Sequence, residues 1–333
     1  MPSRRPSWKK VLAAGAVALL ISPAALLSAT PASAAGGPST LPSGPNPLAS
    51  GPALPTFSAA AEAQKAAARE GRTAVAKKLG IISAQPTAVW LGEWYDSSTL
   101  VRVLRAETQA AVRQKKTAVF VLYAIPARDC GQHSGGGLDA AGYARWVALI
   151  AQTLRGTPSV AIVEPDALAM LGECAGQGDR AGLIRDGVRT LAAAGVPAYI
   201  DAGNSGWIAP EVMAARLRDA GIADARGFAT NVSGFRTTAS ERTYAERVRS
   251  ALGGTARYVI DTSRNGRGWT GEWCNPPGAG LGSTPRAVSG AGGLDALLWI
   301  KRPGESDGDC NGGPGAGSWF EKAALDLVAR RQT

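Results

Sequence analysis

The chain has 333 residues, 45% hydrophobic and 19% charged, with a formal net charge of +10. That is long enough for one large hydrophobic core or two ordinary ones, and too apolar for a disordered chain. It holds a single histidine, His133, which excludes a metal site built from several His ligands and leaves a Ser-His-Asp triad only one candidate.

The N-terminus reads as a leader. Arg4, Arg5, Lys9 and Lys10 precede the apolar run "VLAAGAVALLISPAALLSA", and the small residues Ala32-Ser33-Ala34 follow. This pattern is a secretory signal over 1–34. The arginine pair hints at twin-arginine export, but Pro6 and Ser7 depart from that pattern, so the export route stays open. Those 34 residues hold four Lys/Arg and no acids, so the remainder carries +6. With no long Lys/Arg run, the basic balance reads as a solvated surface and not as a nucleic-acid arm, and no membrane contact is expected once the leader is removed. Residues 35–45 are Pro/Gly/Ser-rich and read as flexible, and 46–333 as a single catalytic domain.

Beyond that point elements alternate. Helical spacing is expected over 57–79, then a strand at 87–92 ("TAVWLG"), a helix at 98–114 and a strand at 117–126 ("TAVFVLYAIP"). A helix follows at 139–154, the strand "SVAIVEP" from 159, a helix at 179–194 and the strand "PAYIDAG" at 197–203. A helix at 209–220, a short strand at 227–231, a helix at 238–252, strands at 257–261 and 296–301, and a helix at 319–331 complete the series. Apolar strands alternating with helices predict a parallel sheet with helices outside it, and this many units in one domain predict an α/β barrel of about seven strands.

In such a barrel the C-terminal strand ends share one face, where active sites sit. The expected strands run out at Arg128-Asp129, Glu164-Asp166, Asp201, Asn231, Asp261 and Lys301. Any one of these is explained by helix capping or a turn; their recurrence at the same place in successive units is not. Trp90, Trp94, Trp207, Trp269 and Trp273 fall at or just beyond the same ends, whereas Trp146, Trp299 and Trp319 are expected in the core. Paired carboxylates among flat apolar rings suggest a glycosidase, in which one carboxyl stays protonated because a second charge lies nearby. Four cysteines in an exported chain suggest disulfides, with three pairings possible; pairing neighbours in sequence, 130–174 and 274–310, would clamp two long loops.

"VLYAIPARDCGQHSGGG" (121–137) and "IVEPDAL" (162–168) resemble the two signature segments of glycoside hydrolase family 6. "YIDAGNSGW" (199–207), "GFATNVSGF" (227–235), "VIDTSRNGRG" (259–268), "EWCNPPG" (272–278) and "LLWIKRPGESDG" (297–308) follow in the family's order, so the resemblance covers roughly 46–331. It implies a distorted barrel of parallel strands that cleaves β-1,4-glucans with inversion, needs no cofactor or metal, and acts as a secreted monomer. It also implies that Asp166 is the general acid and Asp129 the neighbour that keeps it protonated. Tyr123 would stand beside the sugar at the cleavage point, Ser134 would be linked to the attacking water, and Asp307 would match the aspartate assigned as base. Lys301 and Glu305 would bind sugar hydroxyls. Trp90 and Trp273 would stack sugars on the non-reducing side, and Trp207 on the leaving-group side. The resemblance pairs Cys130 with Cys174 and Cys274 with Cys310. Glu164 is read as holding its loop by hydrogen bonds and not as the acid. Asn204 stands where the family commonly has His, which removes a charge but keeps hydrogen bonding. The bridged segments are short by family standards, which implies an open groove and cleavage within chains; a cellobiohydrolase and a non-catalytic polysaccharide-binding protein are the alternatives.

Overall fold

The structure is a computed structural model that describes residues 44–289 and 292–332. The leader 1–34, and the segment 35–45 up to residue 43, lie outside the described residues.

Eight strands form one sheet: β1 (Val89–Leu91), β2 (Ala118–Leu122), β3 (Ser159–Val163), β4 (Ala198–Asp201), β5 (Gly227–Thr230), β6 (Arg257–Asp261), β7 (Arg286–Ala287) and β8 (Leu294–Leu298). Their order is β1-β2-β3-β4-β5-β6-β8-β7. Seven strands are parallel, and β7 runs antiparallel to β8 through Arg286–Leu297 and Ala287–Ala296. The sheet curls but is not zipped shut. β7 occupies part of the free edge of β8, and among the described residues the start of β1 meets the chain just after β8 through Ala88 N–H to the Trp299 carbonyl (3.1 Å) and the Trp90 indole to the Ile300 carbonyl (2.9 Å).

Period-two alternation divides the strand residues between two cores. Phe120, Leu122, Ala161, Val163, Ile200, Phe228 and Ile260 pack outward among helix residues such as Leu100, Leu104, Ile150, Ile184 and Val188. Val119, Val121, Tyr123, Val160, Ile162, Tyr199, Val259 and Leu298 pack against one another inside the curl. Both faces of the strands are buried, as the continuous apolar runs require.

The helices are α1 (Ala59–Arg69), α2 (Thr73–Ser83), α3 (Ser97–Gln114), α4 (Ala140–Leu154), α5 (Arg180–Ala193), α6 (Pro210–Asp219), α7 (Thr238–Ala251) and α8 (Glu321–Ala329). Aspartates start three of them: Asp96, Asp139 and Asp179 accept from the N–H groups of Thr99 (2.8 Å), Gly142 (2.6 Å) and Gly182 (2.9 Å). Two expectations need correction. The helix expected over 57–79 is two helices, because Gly71 between them adopts φ +73 and turns the chain. The strand expected at 296–301 is shifted to 294–298, because Asp261 takes the N–H groups of Ile300 (3.3 Å) and Lys301 (2.9 Å) out of the sheet. The two-residue β7 carries no signal that periodicity could reveal.

Candidate active site

The loop after β2 supplies the first wall. Ala127, Asp129 and Cys130 all have φ of 51–52, a left-handed conformation that non-glycine residues adopt only under constraint. Arg128 supplies that constraint. Its buried guanidinium donates to the carbonyls of Tyr123 (2.6 Å) and Ser134 (2.8 Å) and pairs with Glu93 (2.6 Å), whose other oxygen accepts from Gly137 N–H (3.0 Å). The Arg128 guanidinium also covers the Tyr123 ring at 4.4 Å, and Trp90 meets that ring edge-on at 5.0 Å. So fixed, the Tyr123 hydroxyl donates to the Asp129 carboxylate.

β3 runs into Glu164 (φ +50) and Asp166 (φ +68), two further left-handed residues. Glu164 is buried and accepts the N–H groups of Ala124 and Ile125, each at 3.1 Å. Burial raises its carboxyl to about 8 against the pull of those two donors. The N–H of Asp166 donates to Asp201 (2.9 Å), which also accepts from Gly203 (3.0 Å). Asp201 is fully enclosed, and burial raises it to about 7. Among the described residues nothing hydrogen-bonds the half-buried Asp166 carboxyl. Burial pushes this group well above the ordinary carboxylate range, the charges of Asp129 and Asp201 push it further, Lys301 draws it back, and Asp307 adds to the rise. Asp129 is itself raised by burial, against the Tyr123 hydrogen bond and the charges of Arg128, Arg180 and Lys301.

The opposite wall comes from the ends of β6 and β8. Asp261 gathers the N–H groups of Ser233 (3.0 Å), Ser263 (2.9 Å), Ile300 and Lys301, and so sets where Lys301 leaves the sheet. Arg264 grips Asp307 through both carboxylate oxygens (2.9 and 2.7 Å), Lys301 Nζ lies 3.3 Å from it, and Asn275 N–H donates to it (3.0 Å). Burial pushes Asp307 up, but Arg264 and Lys301 outweigh it and hold the carboxyl at about 2. Glu305 pairs with Arg302 (2.8 Å) and is raised by burial.

Aromatic rings flank these carboxylates. Trp207 and Trp273 are exposed, Trp90 half-buried. Asn204 turns the chain before Trp207, its side chain accepting from Gly206 N–H (3.0 Å) and its carbonyl from Trp207 N–H (3.1 Å). Cys130 is joined to Cys174 and Cys274 to Cys310. The two bridged loops meet through His133, which faces Trp273 at 5.9 Å and pairs with Asp309 at 2.8 Å. Ser134 lies in the first loop, held by its carbonyl. Asp129, Tyr123, Asp166, Lys301 and Asp307 therefore share one electrostatic site. Of the other strand-end acids, Asp201, Asp261 and Glu164 are scaffolding that collects loop N–H groups. Sequence reasoning did not single out Arg264, Asn275 or Glu93. The run "DTSRNG" directly after a strand (261–266) was the one available signal for Arg264.

The profile of Glycosyl hydrolases family 6 matches residues 53–331. Endoglucanase A of Cellulomonas fimi is 49% identical over 247 residues, 74% of this chain and 55% of that protein, so the chain spans about half the length of that relative. Endoglucanase 1 of Streptomyces sp. (strain KSM-9) is 42% identical over 74% of this chain and 70% of its own. Fungal proteins named exoglucanase or cellobiohydrolase stand lower, at 28% to 30%. The solved endoglucanase Cel6 of Mycobacterium tuberculosis, in complex with methyl-cellobiosyl-4-deoxy-4-thio-β-D-cellobioside, superposes with a TM-score of 0.77 at 40% identity, over 86% of this chain and 99% of that one. Seven parallel strands ending on one acidic, tryptophan-rimmed face, and a profile match spanning nearly all of the described chain, place this protein in glycosyl hydrolase family 6.

Proposed function

We propose that the protein is an exported, monomeric, inverting endo-β-1,4-glucanase, with Asp166 as its general acid and β-1,4-glucan as its partner. The observation that carries this reading is the opposite electrostatic treatment of two carboxyls in one cleft. Burial, Asp129 and Asp201 hold the proton on Asp166, while Arg264 and Lys301 hold Asp307 ionised. A cleft that separates two acids in this way can protonate a leaving group and stabilise positive charge in the same step.

Asp166 gives its proton to the glycosidic oxygen as the bond from that oxygen to the anomeric carbon breaks. Positive charge growing on the ring is met by the Asp129–Tyr123 pair. A water near Ser134 adds from the other face, and the product forms with inverted configuration. Held at about 2, Asp307 is a weak base, so the water attacks first and its proton passes to the Asp307 carboxylate, directly or through a second water, only as the new C–O bond forms. Lys301 and Glu305 hold sugar hydroxyls, and Trp90, Trp273 and Trp207 stack the chain along the groove. Asn204 contributes hydrogen bonding without charge.

Cleavage within chains is favoured because the relatives named endoglucanase from Cellulomonas fimi, Thermobispora bispora and two Streptomyces strains stand at 38% to 49% identity, above the fungal exoglucanase and cellobiohydrolases at 28% to 30%. Export is supported by two disulfides. Among the described residues no helix is long and apolar enough to cross a membrane.

The test is Asp166→Asn assayed on two substrates. On carboxymethylcellulose turnover falls on the order of 10³-fold. On 2,4-dinitrophenyl β-cellobioside, whose leaving group needs no proton, the loss is far smaller. Equal losses on both remove Asp166 from the acid role. For the wild type, viscosity falls early relative to reducing ends; slow viscosity loss with cellobiose as sole product identifies a cellobiohydrolase.

A further inference from the structure

The loops leaving β4, β5 and β6 carry Trp207, Arg236 and Trp269 side by side. The Arg236 guanidinium lies 4.7 Å from the centroid of the Trp269 ring. It also lies against Gly206: a Cβ at that position would come within 2.1 Å of the guanidinium carbon, so only glycine admits it there. Gly206 is the residue before Trp207, so Arg236 fills the space between the two tryptophan-bearing loops.

The arrangement is built on buried amides. Arg236 N–H donates to Asn231 Oδ1 (3.0 Å), and its carbonyl accepts from Asn231 Nδ2 (3.2 Å) and Asn265 Nδ2 (3.0 Å). Asn231 and Asn265 are almost wholly buried. Trp207 packs one side near Gly203. Yet the two indoles remain 40% and 42% exposed, and Trp269 belongs to none of the three hydrophobic clusters. Among the described residues no carboxylate lies within ion-pair distance of Arg236, and its guanidinium donates to no protein acceptor. An indole backed on one side by a guanidinium and left open on the other matches a pyranose ring, whose C–H face stacks on the open side while Arg236 holds the ring from behind.

We propose that Trp269, held flat by Arg236, is a further sugar-binding platform continuous with Trp207, taking a β-glucosyl residue of the leaving-group portion of the chain. The proposal rests on the reading of the cleft as a β-1,4-glucan site and extends it by one position outside the aromatic set Trp90, Trp207 and Trp273.

The test compares cellotetraose with cellohexaose. In Trp269→Ala the ratio of kcat/KM for cellohexaose to that for cellotetraose falls about tenfold relative to wild type. Arg236→Ala shifts the ratio in the same direction by removing the backing of the ring, and Trp269→Tyr restores much of it. The same pair of oligosaccharides is titrated calorimetrically against Asp166→Asn with and without Trp269→Ala; the second substitution weakens cellohexaose selectively. A ratio unchanged in Trp269→Ala, or an equal loss on both lengths, overturns the platform. Absence of wild-type hydrolysis together with length-selective binding overturns the catalytic reading and leaves the platform standing.

Discussion

Replacing Asp307 by Asn puts the ionised side of the cleft to the test. Its carboxylate is 7% exposed and bonded to Arg264, Lys301 and Asn275 N–H. The fall from an ordinary 3.8 to about 2 corresponds to roughly 2 kcal/mol of preference for the charged form at ~1.36 kcal/mol per pH unit. Asn keeps the shape but leaves two buried cations unpaired, so the loss of stability at neutral pH is about 2–4 kcal/mol. In a domain of this size that lowers the melting temperature by about 3–7 °C. The pH dependence follows from the sign of the shift: a depressed carboxyl stabilises fully above its ordinary pKa and loses that contribution as pH falls through the folded value. Calorimetry therefore finds the same gap between wild type and variant at pH 7 and pH 5, narrowing as the pH approaches 2. A gap below ~1 °C at neutral pH, or one that persists undiminished in acid, refutes the assignment of Asp307 as an anion clamped by Arg264 and Lys301.

Asp129→Asn removes the largest charge that raises Asp166. With Asp166 as the proposed acid, the alkaline limb of kcat/KM moves to lower pH by about one unit; a limb that stays put or moves upward contradicts the coupling. Cys130→Ala with Cys174→Ala opens a crosslink spanning 44 residues. The chain-entropy cost is about 4 kcal/mol, read as a lowered urea midpoint. Because the 130–174 segment holds Ser134 and Asp166 and the 274–310 segment holds Lys301, Glu305 and Asp307, kcat also falls in this variant and in Cys274→Ala with Cys310→Ala, and an unchanged kcat in both refutes that link.

The curled parallel sheet was legible because parallel strands buried on both faces are written as unbroken apolar runs, and "TAVFVLYAIP" and "SVAIVEP" are such runs. The acid-bearing face was legible because the residues that end those strands are carboxylates in one unit after another. The division of labour among them was not. Asp201 and Asp166 look alike in sequence, each following a β-rich stretch, yet Asp201 accepts two N–H groups inside the protein and Asp166 accepts none. That difference depends on which loop N–H groups fold back, a tertiary fact. Arg264 was missed for the same reason, since its partner lies 43 residues away. The split between α1 and α2 hangs on one glycine conformation that helical periodicity passes over.

The opposite states of Asp166 and Asp307 have one structural cause: where each strand spends its terminal hydrogen bonds. After β3 the chain turns through left-handed Glu164 and Asp166, conformations that cost about 1–2 kcal/mol each. Glu164 offsets this by binding the N–H groups that follow Tyr123, and Asp201 does so by binding the N–H of Asp166 itself. These bonds leave the Asp166 side chain facing the cleft with no donor, which is the condition for a carboxyl to keep its proton. After β8, Asp261 draws in the N–H of Lys301 and so directs the ammonium toward Asp307, which Arg264 already grips. On the proposed reading, the buried carboxylates Glu164, Asp201 and Asp261 thus set apart the two assigned to the chemistry. On that reading, a substitution at Asp201 or Asp261 acts on the chemistry through the charge state of a neighbour and not through contact with the sugar.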